Sequence, residues 1–290
     1  MSVQRKWKLP RTTLPLGEHT LVMGILNVTP NSFSDGGQFF REEQSSIRAE
    51  EIIAEGADII DIGGESTRPG GTPVSVAEEI QRVVPVIESL AKKFAVPISV
   101  DTTKQAVARA ALDAGAQIVN DISGLRFEPH LAADVAHSGA GIVLMHSRGT
   151  LQNLHNLSPV ADIMAEVEDG LRRSVAEAVS RGVARESIVL DPGIGFGKTP
   201  WQNVELLANL HRVVHSFSGQ AILVGTSRKS FIGRLLGDVP VDQRLHGTMA
   251  TVTAAILNGA QIVRVHDVRP AVETARVADA IRRAMNETNV

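Results

Sequence analysis

The chain has 290 residues, 43% hydrophobic and 21% charged, ordinary proportions for a globular protein. Its net charge of −3 argues against nucleic acid or an anionic membrane as partner, and the lack of cysteine excludes disulfides and thiolate metal sites. The amino-terminal MSVQRKWKLPRTT carries no signal-peptide core, and no apolar run nears the roughly 20 residues of a membrane helix, so the expected location is the cytoplasm.

Residues 1–20 place Trp7, Leu9, Leu14 and Leu16 in a short strand or hairpin, a candidate plug for one end of the fold. The apolar run from Leu21 to Leu26 reads as a buried strand, and it stops at Asn27, before a polar loop. An amphipathic helix over Gln44–Glu55 is stopped by Gly56. Ala57–Gly64 is a second strand, opening into the polar loop from Glu65 to Gly71. Val76–Lys93 is helical, with Pro85 as a candidate kink.

The pattern then repeats. Strands are expected at Ile98–Asp101, Gln117–Ile122, Gly141–Met145, Ile188–Asp191, Ala221–Gly225 and Gln261–Val265. Helices are expected at Lys104–Ala114, Leu131–His137, Pro159–Arg181, Trp201–Val214, Phe231–Leu236, Arg244–Leu257 and Ala271–Met285. Such alternation demands parallel strands, and about eight units in roughly 250 residues is the signature of a (β/α)8 TIM barrel. EGADIIDIGG, DAGAQIVNDISG, SGAGIVLMHSRG and NGAQIVRVHDV share a glycine stop followed by an apolar strand. The rival, an open doubly wound sheet, would show a GxGxxG turn after the first strand, and none is present. Residues 1–290 are expected to form one domain.

Barrel chemistry sits at the C-terminal ends of strands. Polar groups cluster there: Asn27, Asp61, Asp101, Asn120, Asp121, His146, Asp191, the Ser227–Lys229 stretch, Arg264 and His266. Strand period 2 points Arg264 and His266 to the side of Ile262, Asn120 to the side of Ile118 and Ile122, and Asp191 to the side of Val189. Asp61, Asp121 and Asp267 read as caps or supports, because Asp after a strand commonly forms a turn. Asp101, Asn120 and Asp191 end three strands that a barrel closes into one cup, which suggests a polar ligand, with Arg264 and Lys229 offsetting the negative charge. His146 reads as a core or supporting histidine. GIGFGKTP is no phosphate loop, since Pro192 stands where GxxxxGK[ST] needs its first glycine; Gly193, Gly195 and Gly197 read as close-approach positions for a flat ligand.

Six segments carry a resemblance: MGILNVTPNSFSDGG (23–37), DIGGESTRPG (61–70), NDISG (120–124), DPGIGFGK (191–198), GTSRKSFIG (225–233) and RVHDV (264–268). In this order they resemble the motif set of the dihydropteroate synthases. The resemblance implies a barrel enzyme, usually a homodimer. It joins 6-hydroxymethyl-7,8-dihydropterin diphosphate to 4-aminobenzoate in folate biosynthesis, uses Mg2+, and has sulfonamides as competitors.

By the same resemblance, Asp101, Asn120, Asp191 and Lys229 take the pterin edge. Arg264 lies over its ring, and Ile122, Met145 and Phe196 form apolar walls. Asn27, Ser66, Thr67, Arg264 and His266 hold the diphosphate, with Asn27 as the Mg2+ ligand and Asp35 as a possible loop contact. Phe33, Thr67, Arg68, Pro69 and Ser230, with Lys229, surround 4-aminobenzoate, and both loops are expected to be poorly ordered without ligand. Asn27, Lys229, Arg264 and His266 are the expected catalytic residues, on a dissociative route. Two alternatives stand beside this one: a methyltetrahydrofolate-binding methyltransferase, and a non-catalytic pterin-binding subunit.

Overall fold

The computed structural model describes residues 5–28, 38–66, 73–150 and 157–287. Two short antiparallel strands, β1 (Arg5–Lys8) and β2 (Thr13–Leu16), come first. There follow β3 (Leu21–Asn27), α1 (Gln38–Ala54), β4 (Ile59–Gly63), α2 (Val76–Lys93), β5 (Ile98–Asp101), α3 (Gln105–Ala114) and β6 (Ile118–Asp121). The second half holds α4 (Leu131–Ser138), β7 (Gly141–Met145), α5 (Ile163–Ser180), β8 (Ile188–Asp191), α6 (Pro200–Ala208), α7 (Leu210–Ser216), β9 (Ala221–Val224), α8 (Ser230–Leu235), α9 (Leu245–Leu257), β10 (Ile262–Val265) and α10 (Val268–Glu287).

Strands β3 to β10 pair in parallel and close as a barrel, with β10 returning to β3. The TIM-barrel expectation holds. Period 2 sorts the side chains. Val22, Leu26, Ile60, Ile62, Val100, Val119, Leu144 and Val263 face outward into the helical layer. Leu21, Met23, Ile59, Ile118, Val143, Val189, Leu223 and Ile262 face inward and fill the lower barrel. Trp7, Leu9 and Leu16 of the hairpin join that inner cluster, so the hairpin plugs the N-terminal end. The Trp7 indole is 1% exposed and donates to the Ser187 carbonyl at 2.9 Å.

Several boundaries differ from expectation. The expected 201–214 helix is two helices parted at Asn209, whose side-chain amide donates to the Glu205 carbonyl and ends α6. α6 itself opens on a capping box, Thr199 with Gln202, so it starts at Pro200. α5 starts at Ile163 rather than Pro159, because Asp162 caps it by accepting from Ala165 N. α2 runs on through Pro85. α1 begins at Gln38, and α10 at Val268.

Candidate active site

Above the apolar floor the inward positions turn polar. Register sets Asp101 of β5 beside Asn120 of β6, and Met145 of β7 beside Asp191 of β8. The strand ends enclose a cavity of about 450 Å3. Asn27, Ser66, Asp101, Asn120, Asp191, Lys229, Ser230, Arg264 and His266 all line it. Ile122, Met145 and Phe196 form a separate buried apolar cluster on its wall. These twelve predicted residues therefore share one cup. Phe33, Asp35, Thr67, Arg68 and Pro69, and with them the expectation about loop order, lie outside the described residues. A second cavity adjoins the first through Ile25, Asn27, Arg228 and His266.

The charges are tightly interlocked. Arg264 donates from Nε to Asp61 and from Nη2 to Asp101, each at 2.6 Å. Burial works against its charge, but Asp61 and Asp101 outweigh that and hold its pKa above the ordinary value. Burial pushes Asp101 up to about 7 against the pull of Arg264, and pushes Asp191 up to about 6 against its bond from Gly193 N and the pull of Lys229. Burial lowers Lys229 to about 7, with Asp191 opposing. The Lys229 ammonium stands 3.7 Å from the centre of the Phe196 ring, a cation–π contact that fixes both on the wall. Ser227 Oγ accepts from His266 N at 3.1 Å and meets His266 Nδ1 at 3.0 Å, which sets the imidazole plane.

Supports lie around the cup. Asp121 faces away from it and accepts from Ser123 N and Leu125 N, as a turn former does. Asp267 takes Arg228 in a bidentate pair. His146 is buried, and Lys198 Nζ approaches its Nδ1 at 3.1 Å. The same ammonium donates to the carbonyls of Gly193, Phe196 and His146, so Lys198 staples the loop after β8 instead of meeting phosphate. The glycines of that loop also need correcting. A Cβ on Gly193 would stand 1.8 Å from the His146 carbonyl oxygen, one on Gly197 2.6 Å from Arg148 Cβ, and one on Gly195 2.9 Å from Lys229 Cδ. All three have positive φ; Gly193 and Gly197 admit neighbouring protein atoms, whereas Gly195 admits Lys229 and also lines the cavity.

The sequence reading missed Lys104 altogether and caught Asp61 only in part, as a cap or support of which the support stands. Lys104 binds Glu65 at 2.8 Å, Glu79 at 2.5 Å and the Val74 carbonyl at 2.7 Å, tying the end of β5 to both flanks of the loop after β4. Nothing in local sequence announces that triad. Asp61 is no cap: it sits inside the barrel under Arg264 and Asn120. The parity of Ile59, Asp61 and Gly63 on β4 was the available signal.

A parallel barrel with acceptors, donors and an apolar wall in one C-terminal cup defines a small-molecule barrel suited to a flat, hydrogen-bonding heterocycle. The chain belongs to the pterin binding enzyme family, which it matches over residues 23–266. The dihydropteroate synthase of Synechocystis is 48% identical over 273 residues, 94% of each chain. The Xanthomonas albilineans dihydropteroate synthase, solved with 4-aminobenzoic acid, superposes with a TM-score of 0.89 at 41% identity, over 97% of this chain and 99% of that one. The Yersinia pestis dihydropteroate synthase, solved as a sulfonamide drug complex, gives 0.88 at 43% identity, over 96% and 99%.

Proposed function

We propose that the protein is a dihydropteroate synthase. It joins 6-hydroxymethyl-7,8-dihydropterin diphosphate to 4-aminobenzoate and releases diphosphate, in folate biosynthesis. The observation that carries this is the convergence of Asp101, Asn120, Asp191, Lys229 and Arg264 on one cavity. A pterin edge offers adjacent N–H donors beside a carbonyl. Asp191 accepts from two donors at once, Asn120 both accepts and donates, and Lys229 serves the carbonyl side. Ile122, Met145 and Phe196 pack the ring, and Arg264 covers it. Sulfonamides occupy the 4-aminobenzoate position, at Ser230 and Lys229 with Phe33, Thr67, Arg68 and Pro69 of the loops. The synthase names of the relatives favour this over a methyltransferase.

The diphosphate falls to Asn27 and His266, where the two cavities meet, and to Ser66 and Arg264 of the first cavity, with Thr67, outside the described residues, as the remaining expected contact. Among the described residues no group of three or more His, Cys, Asp or Glu is arranged to hold a metal. Asn27 Oδ1 nevertheless lies close to the ends of β4 and β5: it and Asp101 Oδ2 are each 3.8 Å from where a Gly63 Cβ would stand. One amide oxygen fits an ion that keeps waters and shares phosphate oxygens, so Asn27 would hold Mg2+. When bound, that ion supplies positive charge to the departing diphosphate.

The chain's own part is electrostatic. Arg264 and His266 receive the charge of the leaving oxygen as the C–O bond breaks and its electron pair departs with diphosphate. The amine nitrogen of 4-aminobenzoate then attacks that carbon and loses its proton to solvent or diphosphate. The bond-breaking-first order predicts some diphosphate release without the amine; none at all would count against it. For the reaction itself, pterin diphosphate, 4-aminobenzoate and Mg2+ are incubated with the protein. Stoichiometric dihydropteroate and diphosphate support the reading, and pterin binding without product would leave a non-catalytic subunit.

Acid should weaken pterin binding. A carboxyl raised to about 6 is an acceptor above that pH and a proton-bearing acid below it, so affinity falls as pH drops through 6. Each carboxyl that must be ionised adds about a tenfold rise in Kd per pH unit below its own pKa, Asp101 below about 7 and Asp191 below about 6. Titrating 6-hydroxymethylpterin from pH 8 to 5 reads this directly, and a flat profile would remove Asp191 from the pterin edge.

Residues 1–290 act as one pterin-binding domain, since all eight barrel strands feed the cup. A homodimer is supported by the exposed apolar side chains Val277, Ile281 and Met285, spaced at helical intervals along α10. Sedimentation at the mass of one chain would contradict it. No described helix is long and apolar enough to cross a membrane, which accords with a cytoplasmic site of action.

A further inference from the structure

Asp61 is the charge in the barrel that the reaction leaves without a task. Its carboxylate is fully buried, and it does not line the cavity that takes the ligand. Oδ2 accepts from Arg264 Nε at 2.6 Å and from Asn120 Nδ2 at 3.1 Å. Oδ1 has no partner among the described residues. Neither has the hydroxyl of Ser99, also fully buried and its register partner on β5. An ionised group so placed is costly, and the layer below uses Ile59 at the equivalent inward position. A buried Asp61–Arg264 pair gains little over apolar residues of the same shape, so stability alone does not account for a carboxylate here.

Its partners supply a reason. Arg264 is gripped by two carboxylates of different standing. Asp101 lines the cavity, where an arriving ligand competes for it, whereas Asp61 stays out of reach below. One bond thus survives ligand entry and keeps the guanidinium in place. Asn120 gains something else. A carboxylate only accepts, so the side of the amide facing Asp61 must be NH2. Its carbonyl oxygen and second N–H are then left for the cup in a fixed order.

We propose that Asp61 is a positioning residue, which anchors Arg264 and sets the amide orientation of Asn120 from beneath without touching the ligand. The inference rests on the pterin reading above for what Asn120 and Arg264 hold.

The near-isosteric Asp61→Asn variant tests it. Losing bonds from a charged acceptor should weaken 6-hydroxymethylpterin binding about 10- to 100-fold, with the KM for 4-aminobenzoate within twofold of wild type. The acid limb of pterin binding gives a readout that packing alone does not move. Asp101 is faced by Asp61 from β4, Arg264 from β10, Lys229 from the end of β9 and Glu79 from α2. Neutralising Asp61 removes one repelling charge and frees Arg264 for Asp101, so the contribution of Asp101 to that limb should shift to lower pH. Pterin affinity within twofold of wild type with an unmoved limb would overturn the proposal.

If the variant does not fold, 15N-arginine NMR on the unmodified protein decides. The Arg264 Nε–H resonance, assigned by its loss in Arg264→Lys, should exchange slowly with solvent both before and after pterin is added. A fast-exchanging Nε–H would sink the anchor. A wild type that binds no pterin would instead sink the functional reading, while the ligand-free resonance still tests the anchor.

Discussion

Replacing Arg264 with alanine is expected to lower kcat/KM for pterin diphosphate by about 10^3-fold or more, because one side chain serves three ends. It balances Asp61 and Asp101, and in the proposed function it also covers the pterin ring and receives the charge of the leaving diphosphate. Without it two inward carboxylates share the floor with no cation between them. Breaking a buried pair in this way costs about 3–5 kcal/mol when the orphaned charge stays ionised. Asp101, which burial already raises to about 7, is therefore expected to take up a proton, and the variant to be more stable at pH 5 than at pH 8. The sign follows from that raised folded-state pKa: protonation favours the folded chain, and the contribution is lost as pH rises. Arg264→Lys is not a conservative repair. A single ammonium cannot reproduce the two-sided fork that reaches Asp61 through Nε and Asp101 through Nη2. Diphosphate-release kinetics with denaturation at both pH values separates lost chemistry from lost fold. Turnover within tenfold of wild type in the alanine variant would contradict the role given to Arg264.

Asp191→Asn should bind pterin about 10^2- to 10^4-fold more weakly, the cost of one or two bonds to a charged acceptor together with a misplaced donor. At this position an amide turns an N–H toward ligand donors. It also changes the bond from Gly193 N, at 2.7 Å, that holds the carboxylate in place. Lys229 loses its stronger counter-charge and should titrate at lower pH, since Asp191, more than Asp101, raises it against burial. Calorimetry with 6-hydroxymethylpterin measures the affinity. Binding within threefold of wild type would remove Asp191 from the pterin edge.

Most of the cup was legible from strand ends alone. A buried strand carries few polar side chains, so an amide at Asn27 or a charge at Arg264 after an apolar run is a strong mark. Period 2 then gives its side: Arg264 and His266 face inward, while Val263 and Val265 face the helices. What local pattern cannot give is the pairing made when the barrel closes. Arg264 and Asp61 are 203 residues apart in sequence, and Asp61 read alone is one more aspartate near a turn. Lys198 went unassigned once GIGFGKTP was set aside as a phosphate loop. A lysine after three glycines suggests an anion, yet the chain folds its own carbonyls around that ammonium. The break at Asn209 was hidden because Leu206, Leu207, Leu210 and Val213 keep one buried apolar face across it.

A crystal structure with 6-hydroxymethyl-7,8-dihydropterin diphosphate bound tests the central claim most directly. The account predicts the pterin edge on Asp191 and Asn120, the ring between Arg264 and the Met145–Phe196 wall, and the phosphates at Asn27 and His266. A pterin seated with its polar edge away from Asp191, or phosphates bound elsewhere on the molecule, would contradict it.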